Sequence, residues 1–220
     1  MTEQSPLHEP IDESITELNN LTYGPLKATC ENIVREYFPD RQTVLRPQVV
    51  VGEGDRSGRL AYWVMKSKSE TPVLLPGDGG DLLQFVDVND VASFILRCAE
   101  QRVFGDFNLS GPSISWTTFA ELLGIDNGRW VDVATNEREE AALSFRELPL
   151  FRPRGIAEAS FMNISNQKAR ASGFSVTDVQ TTLQSFANWM HQHGAENITP
   201  EDIRSEFLAE GKEALLISGH

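Results

Sequence analysis

The stretch Thr22-Tyr23-Gly24-Pro25-Leu26-Lys27 constrains this chain more than any other. Proline is tolerated in a helix only within the first turn, so Pro25 fixes a helix start near Tyr23. Leu26, Cys30, Ile33, Val34, Tyr37 and Phe38 follow at helical spacing and predict an apolar stripe. Tyr23 and Lys27 are one turn apart on one face, at the end of the helix where the backbone dipole favours negative charge. That geometry suits a phenol that gives and takes a proton. A free phenol titrates near ~10 and must fall by roughly 3 units, about 4 kcal/mol, to work near neutrality. A neighbouring ammonium and a helix N-terminus both act in that direction. The competing reading of the same spacing is a partly buried aromatic beside a solvated lysine.

The chain's 220 residues are 40% hydrophobic, enough for one ordinary core. A net charge of -13 argues against nucleic acid and anionic membranes as partners, since both select basic surface. The longest apolar run is too short to span a bilayer, and the polar, acidic opening MTEQSPLHEP is unlike a signal peptide. Cys30 and Cys98 fall in predicted helices among apolar neighbours, which reads as two core thiols rather than a disulfide or metal pair. A soluble, cytoplasmic setting is the expectation that follows.

In chain order, residues 1–22 read as a loop and the tyrosine helix follows. Gln42 to Val51 reads as a buried strand, Gly52 to Gly58 as a loop and Arg59 to Lys66 as a short helix. Strands are expected over Pro72–Pro76 and Leu82–Val88, a helix over Asn89–Gln101, and a strand over Phe107–Ser110. Ser115 is placed to cap a helix through Leu123. Arg129–Val133 reads as a strand, and Asn136–Leu143 as an acidic helix. Ser175 and Asp178 resemble a capping box for a helix through His193, and Thr199-Pro200 opens a last helix. Trp189, Leu183 and Phe186 are expected in the core. His191 and His193, two apart on a helix, point to different faces and make a poor metal site.

The segments YGPLKATCE, VLRPQVVVGEGD, LLQFVDVNDVASFIL, GDFNLSGPSISWTTFAELLG, ELPLF and SVTDVQTTLQSFANWM occur in this order. Together they resemble the extended short-chain dehydrogenases/reductases, the NAD-dependent epimerase/dehydratase family. The resemblance implies an α/β, partial Rossmann-like fold lacking the first βαβ units, with a mostly helical substrate-binding lobe at the C-terminal end. Residues 1–58 would then be the remnant of the Rossmann-like half and 59–220 largely the substrate lobe, in one incomplete domain.

The resemblance also implies roles. Tyr23 is the acid/base, and Lys27 lowers its pKa and holds the cofactor ribose. Pro47, Gln48 and Val49 lie beside the nicotinamide of NAD or NADP, the alternative for Pro47 being a proline that only stops strand pairing. Arg59, Tyr62 and Trp63 are placed to contact a sugar-nucleotide-like or small carbonyl substrate, the alternative being amphipathic packing. Gln84 is a further pocket residue, while Asp87 and Asp90 read as mainly structural. No metal is implied.

Members of the family begin with a strand, a glycine-rich turn and a helix that hold the pyrophosphate, and nothing before Tyr23 matches that unit or the family's catalytic serine. The loop Gly52-Glu53-Gly54-Asp55-Arg56-Ser57-Gly58 has G-x-G-x-x-x-G spacing and two carboxylates facing any phosphate, and reads as a tight turn. The chain by itself is therefore expected to bind NAD(P) weakly or not at all. It is expected to form a homo-oligomer or to pair with a chain supplying the N-terminal half. A truncated, non-catalytic remnant or partner subunit is the second reading.

Overall fold

The computed structural model describes residues 1–133, 147–152, 157–193 and 207–218. Helix α1 spans Tyr23–Tyr37 and is followed by strands β1 (Thr43–Pro47) and β2 (Val50–Val51). Helix α2 covers Arg59–Lys66, then come β3 (Val73–Pro76), β4 (Leu82–Gln84), β5 (Val86–Asp87), α3 (Val88–Gln101) and β6 (Gly105–Leu109). Next are β7 (Ser113–Ser115), α4 (Trp116–Leu123), β8 (Gly128–Val131) and a 3-10 turn over Ala157–Met162. Three further helices complete the described part: α5 (Gln167–Ala171), α6 (Val179–Gln192) and α7 (Glu210–Ser218). The predicted acidic helix at Asn136–Leu143 and the start predicted at Thr199 lie outside the described residues.

The strands pair in twos: β1 with β6, β2 with β5 and β3 with β8 are parallel, and β4 with β7 is antiparallel. Parallel pairing through helical crossovers is the βαβ arrangement. The single buried strand expected over Gln42–Val51 is instead two. Proline supplies no ladder N–H, and at Pro47 the chain changes partner. Gln48 N donates to Leu109 O at 2.8 Å, and Val86 N to Val49 O at 2.9 Å. Only Val44 within β1 is buried. Likewise Leu82–Val88 breaks into β4 and β5, with helix α3 beginning at Val88.

Helix starts follow side-chain chemistry. Ser115 accepts from Thr118 N at 3.1 Å, Asp87 from Asn89 N at 2.8 Å and Asp178 from Thr181 N at 2.9 Å. Asp178 is thus itself the cap of α6, rather than the third position of a box begun by Ser175. Each such side chain satisfies an amide that the helix leaves open.

The larger core gathers α2, β3, α4, α6 and α7. Trp63 and Trp116 meet edge-on at 4.9 Å, and Trp63 Nε1 donates to Pro149 O at 2.7 Å. A smaller core packs Phe94 and Cys98 of α3 against Phe107 and Phe174. Leu183 and Phe186 are in the large core, and Trp189 is half-buried against it. Beneath α7 lies a buried ion pair that the sequence pattern gave no reason to expect. Lys66 Nζ donates to Glu213, and the other Glu213 oxygen accepts from Leu74 N at 2.8 Å.

Candidate functional site

Helix α1 starts at Tyr23, and no side chain caps it. Its expected stripe exists but is mostly uncovered: Leu26 and Ile33 are half-buried and Cys30, Val34, Tyr37 and Phe38 are exposed. Only Ala28 of this helix is buried, and Tyr37 is 73% exposed. Cys30 is exposed on that same face, so it is not the core thiol its apolar neighbours suggest; Cys98 is buried as expected, and both are free. The opposite side of the helix is covered. Ile11 N and Thr29 Oγ1 bond at 3.0 Å, and the His8 ring lies against Gly24 closely enough that a Cβ there would meet it at 2.4 Å.

Tyr23 is 55% exposed, and Lys27 Nζ stands 6.0 Å from the centre of its ring. The two functional groups therefore share an open face, as the spacing predicted. What holds this helix to the sheet is charge. Arg46 donates Nε to Glu31 Oε1 at 2.8 Å and Nη2 to Oε2 at 2.6 Å. Arg35 Nη2 reaches Glu31 Oε2 at 2.9 Å and Asp106 Oδ2 at 2.6 Å, and Arg46 Nη2 also lies 3.3 Å from Asp106. The Arg46 hydrogen bonds hold the Glu31 carboxyl below its ordinary range, against a smaller opposing effect of burial, and Arg35 adds to the lowering. The Arg46 guanidinium is raised in turn, chiefly by Glu31. None of these partners of Arg46 was anticipated, although Glu31 at four residues from both Lys27 and Arg35 was a visible signal.

Pro47 is exposed at the end of β1, one residue beyond Arg46. Gln48 and Val49 are buried. The Gln48 side chain donates to Phe161 O and accepts from Val49 N. Gln84 is also engaged: Nε2 donates to Gly111 O at 2.9 Å and Ile164 O at 3.0 Å, and Oε1 accepts from Ile164 N at 2.8 Å. Ser110 and Ser113 donate to Ile164 O and Met162 O, both at 2.7 Å. A segment from Phe161 to Asn166 is thereby strapped across the ends of β1, β4 and β6. Asp87 and Asp90 are structural, as expected: Asp87 accepts from Thr182 Oγ1 at 3.0 Å and Asp90 from Thr177 N at 2.7 Å. Together they tie α3 to the start of α6.

Of the α2 residues, Arg59 is half-buried with Nε 3.0 Å from Ser57 Oγ. Tyr62 and Trp63 are both 0% exposed and belong to the core. The structure thus places Tyr23, Lys27 and Pro47 on open surface and sets Gln48, Val49, Tyr62, Trp63 and Gln84 inside. The glycine loop closes on itself, with Asp55 accepting from Ser57 N at 2.8 Å and Asp55 N bonding Gly52 O at 3.1 Å. A Cβ at Gly52 would strike the Val88 side chain at 2.7 Å, so that glycine serves packing rather than a phosphate.

The phenol of Tyr23 and the ammonium of Lys27 on an open face are groups whose chemistry would suit a ribose hydroxyl of NAD(P), and Pro47 is exposed at the end of β1. An open cleft of about 310 Å³ lies on the other face of β1, lined by Thr43, Leu45, Ile95, Cys98, Ala99, Arg102 and Phe104. It contains none of the predicted site residues. No metal-ligand cluster occurs among the described residues, and no described helix is long and apolar enough to cross a membrane.

Fold and helix together define a Rossmann-like α/β protein. Among solved structures the chain is similar to MoeE5 in complex with UDP-glucose and NAD, at 17% identity over 87% of this chain and 64% of that one, with a TM-score of 0.53. It is similar to the dTDP-glucose 4,6-dehydratase of Bacillus anthracis in complex with NAD, at 15% identity over 86% and 58%, with a TM-score of 0.55. A third is the Bordetella bronchiseptica enzyme WbmF in complex with NAD+, at 18% identity over 90% and 60%, with a TM-score of 0.52. The chain spans less than two thirds of the length of these structures. No curated protein matches the sequence. Residues 2–110 match the model of the NAD dependent epimerase/dehydratase family, and the chain belongs to that family.

Proposed function

We propose that this chain carries the acid–base and substrate side of an NAD(P)-dependent epimerase, dehydratase or reductase acting on a sugar-nucleotide-like or small carbonyl substrate. The observation that carries this is the pairing of Tyr23 with Lys27 on an open face of α1, the ammonium 6.0 Å from the ring, held by Arg46 to the strand that ends at Pro47. Bound NAD(P) would supply the hydride acceptor and donor. The Tyr23 hydroxyl would pass a proton to or from the substrate oxygen, and Lys27 would orient the ribose and offer its positive charge to the phenol. Pro47, Gln48 and Val49 would form the wall beside the nicotinamide. The rest of the cofactor site would come from further polypeptide, in the same protein or in a partner chain, docked on the exposed apolar face of α1 and the outer edge of β1. Such uncovered edges and faces invite association. A cytoplasmic location suits two free thiols.

The test is turnover of a nucleotide sugar by the complete assembly. Tyr23→Phe keeps the ring and removes the oxygen, and turnover should fall by ~10²–10⁴ with cofactor affinity retained. Lys27→Ala should lower turnover and cofactor affinity together. Full activity in Tyr23→Phe would leave YGPLK as a helix start only. Residues 1 to 220 alone should show little NAD affinity by calorimetry.

A second reading is a non-catalytic subunit of the same family. It is favoured by the burial of Tyr62 and Trp63 and the engagement of Gln84, which leave those three expected substrate contacts to packing. Cofactor-dependent turnover that is lost when Tyr23 of this chain is changed to Phe excludes it.

A further inference from the structure

The chemistry proposed above needs the Lys27 ammonium at Tyr23, and Glu31 is the residue best placed to take it away. Glu31 follows Lys27 by four residues, where opposite charges pair across one helical turn. That pair is not made: Lys27 has no carboxylate partner among the described residues. Both Glu31 oxygens are held from the side of the helix that faces the sheet. Arg46 takes them as a fork, Nε to Oε1 at 2.8 Å and Nη2 to Oε2 at 2.6 Å. Arg35 adds a third bond at 2.9 Å.

Charge balance supports the same division. Glu31 and Asp106 carry two negative charges, and Arg35 and Arg46 carry two positive ones. Glu3, bonded to Asn108 N at 2.9 Å, adds its field at Arg46, so the two arginines are fully engaged by carboxylates on the inner side, while Lys27 on the outer face makes no ion pair among the described residues. A planar guanidinium engages both carboxylate oxygens at once, which a lysine in place of Arg46 does not do. Glu31 is thereby fixed in orientation as well as in partner, and Asp106 on β6 fixes the two arginines.

We propose that Arg46 and Arg35 are positioning residues that hold the Glu31 carboxylate away from Lys27, keeping its ammonium available to Tyr23 and to an anionic ligand. The role rests on the reading of Tyr23 and Lys27 given above. It also gives the Arg46-Pro47 dipeptide two tasks in one site: Pro47 ends the strand, and Arg46 insulates the lysine across from it. A purely mechanical clamp would need the ion pairs but would be indifferent to what Lys27 faces, and that difference can be measured.

The full chain is treated at low salt with the acetyl ester of N-hydroxysuccinimide, and acylation of Lys27 is followed by peptide mass spectrometry against the other lysines of the same molecule. In Arg35→Met/Arg46→Met, Glu31 is released to pair with Lys27, and Lys27 acylation should fall by up to about twofold, the size of one exposed pair at this spacing. Adding Glu31→Gln to that variant should restore the original rate. Glu31→Gln alone should leave Lys27 unchanged. A rise in Lys27 acylation in Glu31→Gln alone overturns the proposal, because it means the two already pair in solution. An unchanged rate in the double-arginine variant, with the circular dichroism of the original chain, overturns it too. Should that variant not fold, Arg46→Lys with and without Glu31→Gln makes the same comparison, with a smaller fall and the same recovery expected.

In the complete assembly, the arginine variants should move the pH–rate profile upward, and Glu31→Gln should move it back. A profile that stays put while turnover drops overturns the proposal in favour of a mechanical clamp. Absence of turnover in the unsubstituted assembly, with the labelling pattern as expected, counts against the proposed function and not against this inference.

Discussion

Helix α1 and helix α2 are both attached to parallel strands, by opposite means. Helix α2 buries six of its eight residues, including Tyr62 and Trp63 at 0% exposure. Helix α1 buries one of fifteen and is held by Arg35, Glu31, Arg46 and Asp106. Apolar burial scales with the area removed from water and is not screened by salt. Partly exposed ion pairs contribute less, and salt screens them. The region proposed for chemistry is therefore the more loosely attached of the two, in keeping with the tendency of functional segments to come from the low-stability end of a fold.

The largest expected effect lies in the α2 core. Trp63→Ala removes rings packed on Tyr62 and Trp116 and the donor to Pro149 O, and should cost about 3–5 kcal/mol in urea unfolding. A loss below about 1 kcal/mol would mean that α2 is not the anchor its burial implies. Glu213→Ala leaves Lys66 as a buried charge without its partner and removes the acceptor of Leu74 N. Its cost should be close behind, about 3 kcal/mol. The double change Lys66→Met/Glu213→Leu should recover most of that loss, because an apolar pair of similar size carries no desolvation penalty. A double variant as unstable as the single would show that the ion pair itself stabilises the fold.

Asp178→Ala should be smaller, about 1 kcal/mol, through the lost cap on α6. Smallest in equilibrium terms is the ionic clamp of α1. Raising salt from 0.05 M to 0.5 M should speed amide exchange in Ala28–Arg35 and leave Leu60–Val64 unchanged, for a shift under about 1 kcal/mol. The pH dependence has a fixed sign. Glu31 is held below its ordinary value, so its contribution is present above about pH 4 and is lost as pH falls through the lowered value. Exchange in α1 should therefore accelerate in acid before that in α2. Equal responses of the two helices to salt and acid would remove the distinction between them.

The contrast also explains how readily each region was recognised in the sequence. The α1 start is local: a proline in the first turn and a four-residue spacing are enough to set Tyr23 and Lys27 on one face. The direction of the stripe is not local. Periodicity says that Cys30, Val34 and Tyr37 share a side, and only the docking of Glu31 and Arg35 on Arg46 and Asp106 decides that this side faces outward. Strand continuity failed at Pro47 for a related reason. A run rich in valine looks the same whether it stays with one neighbour or, as here, leaves β6 for β5.

By itself the sequence determined the elements whose causes lie within a few residues: the entry to α1, the cap at Ser115, the turn at Gly52–Gly58, and the Asp87 and Asp90 anchors as structural groups. Tertiary structure alone decided which polar groups were already engaged. Gln84 reads as a pocket residue until Ile164, eighty positions away, is found bonded to both ends of its amide. Lys66 and Glu213, 147 residues apart, become a pair only when α7 lies over α2 and β3. The physical reason is the same in both cases. Hydrogen bonds and ion pairs act over about 3 Å of space, while a sequence records only distance along the chain.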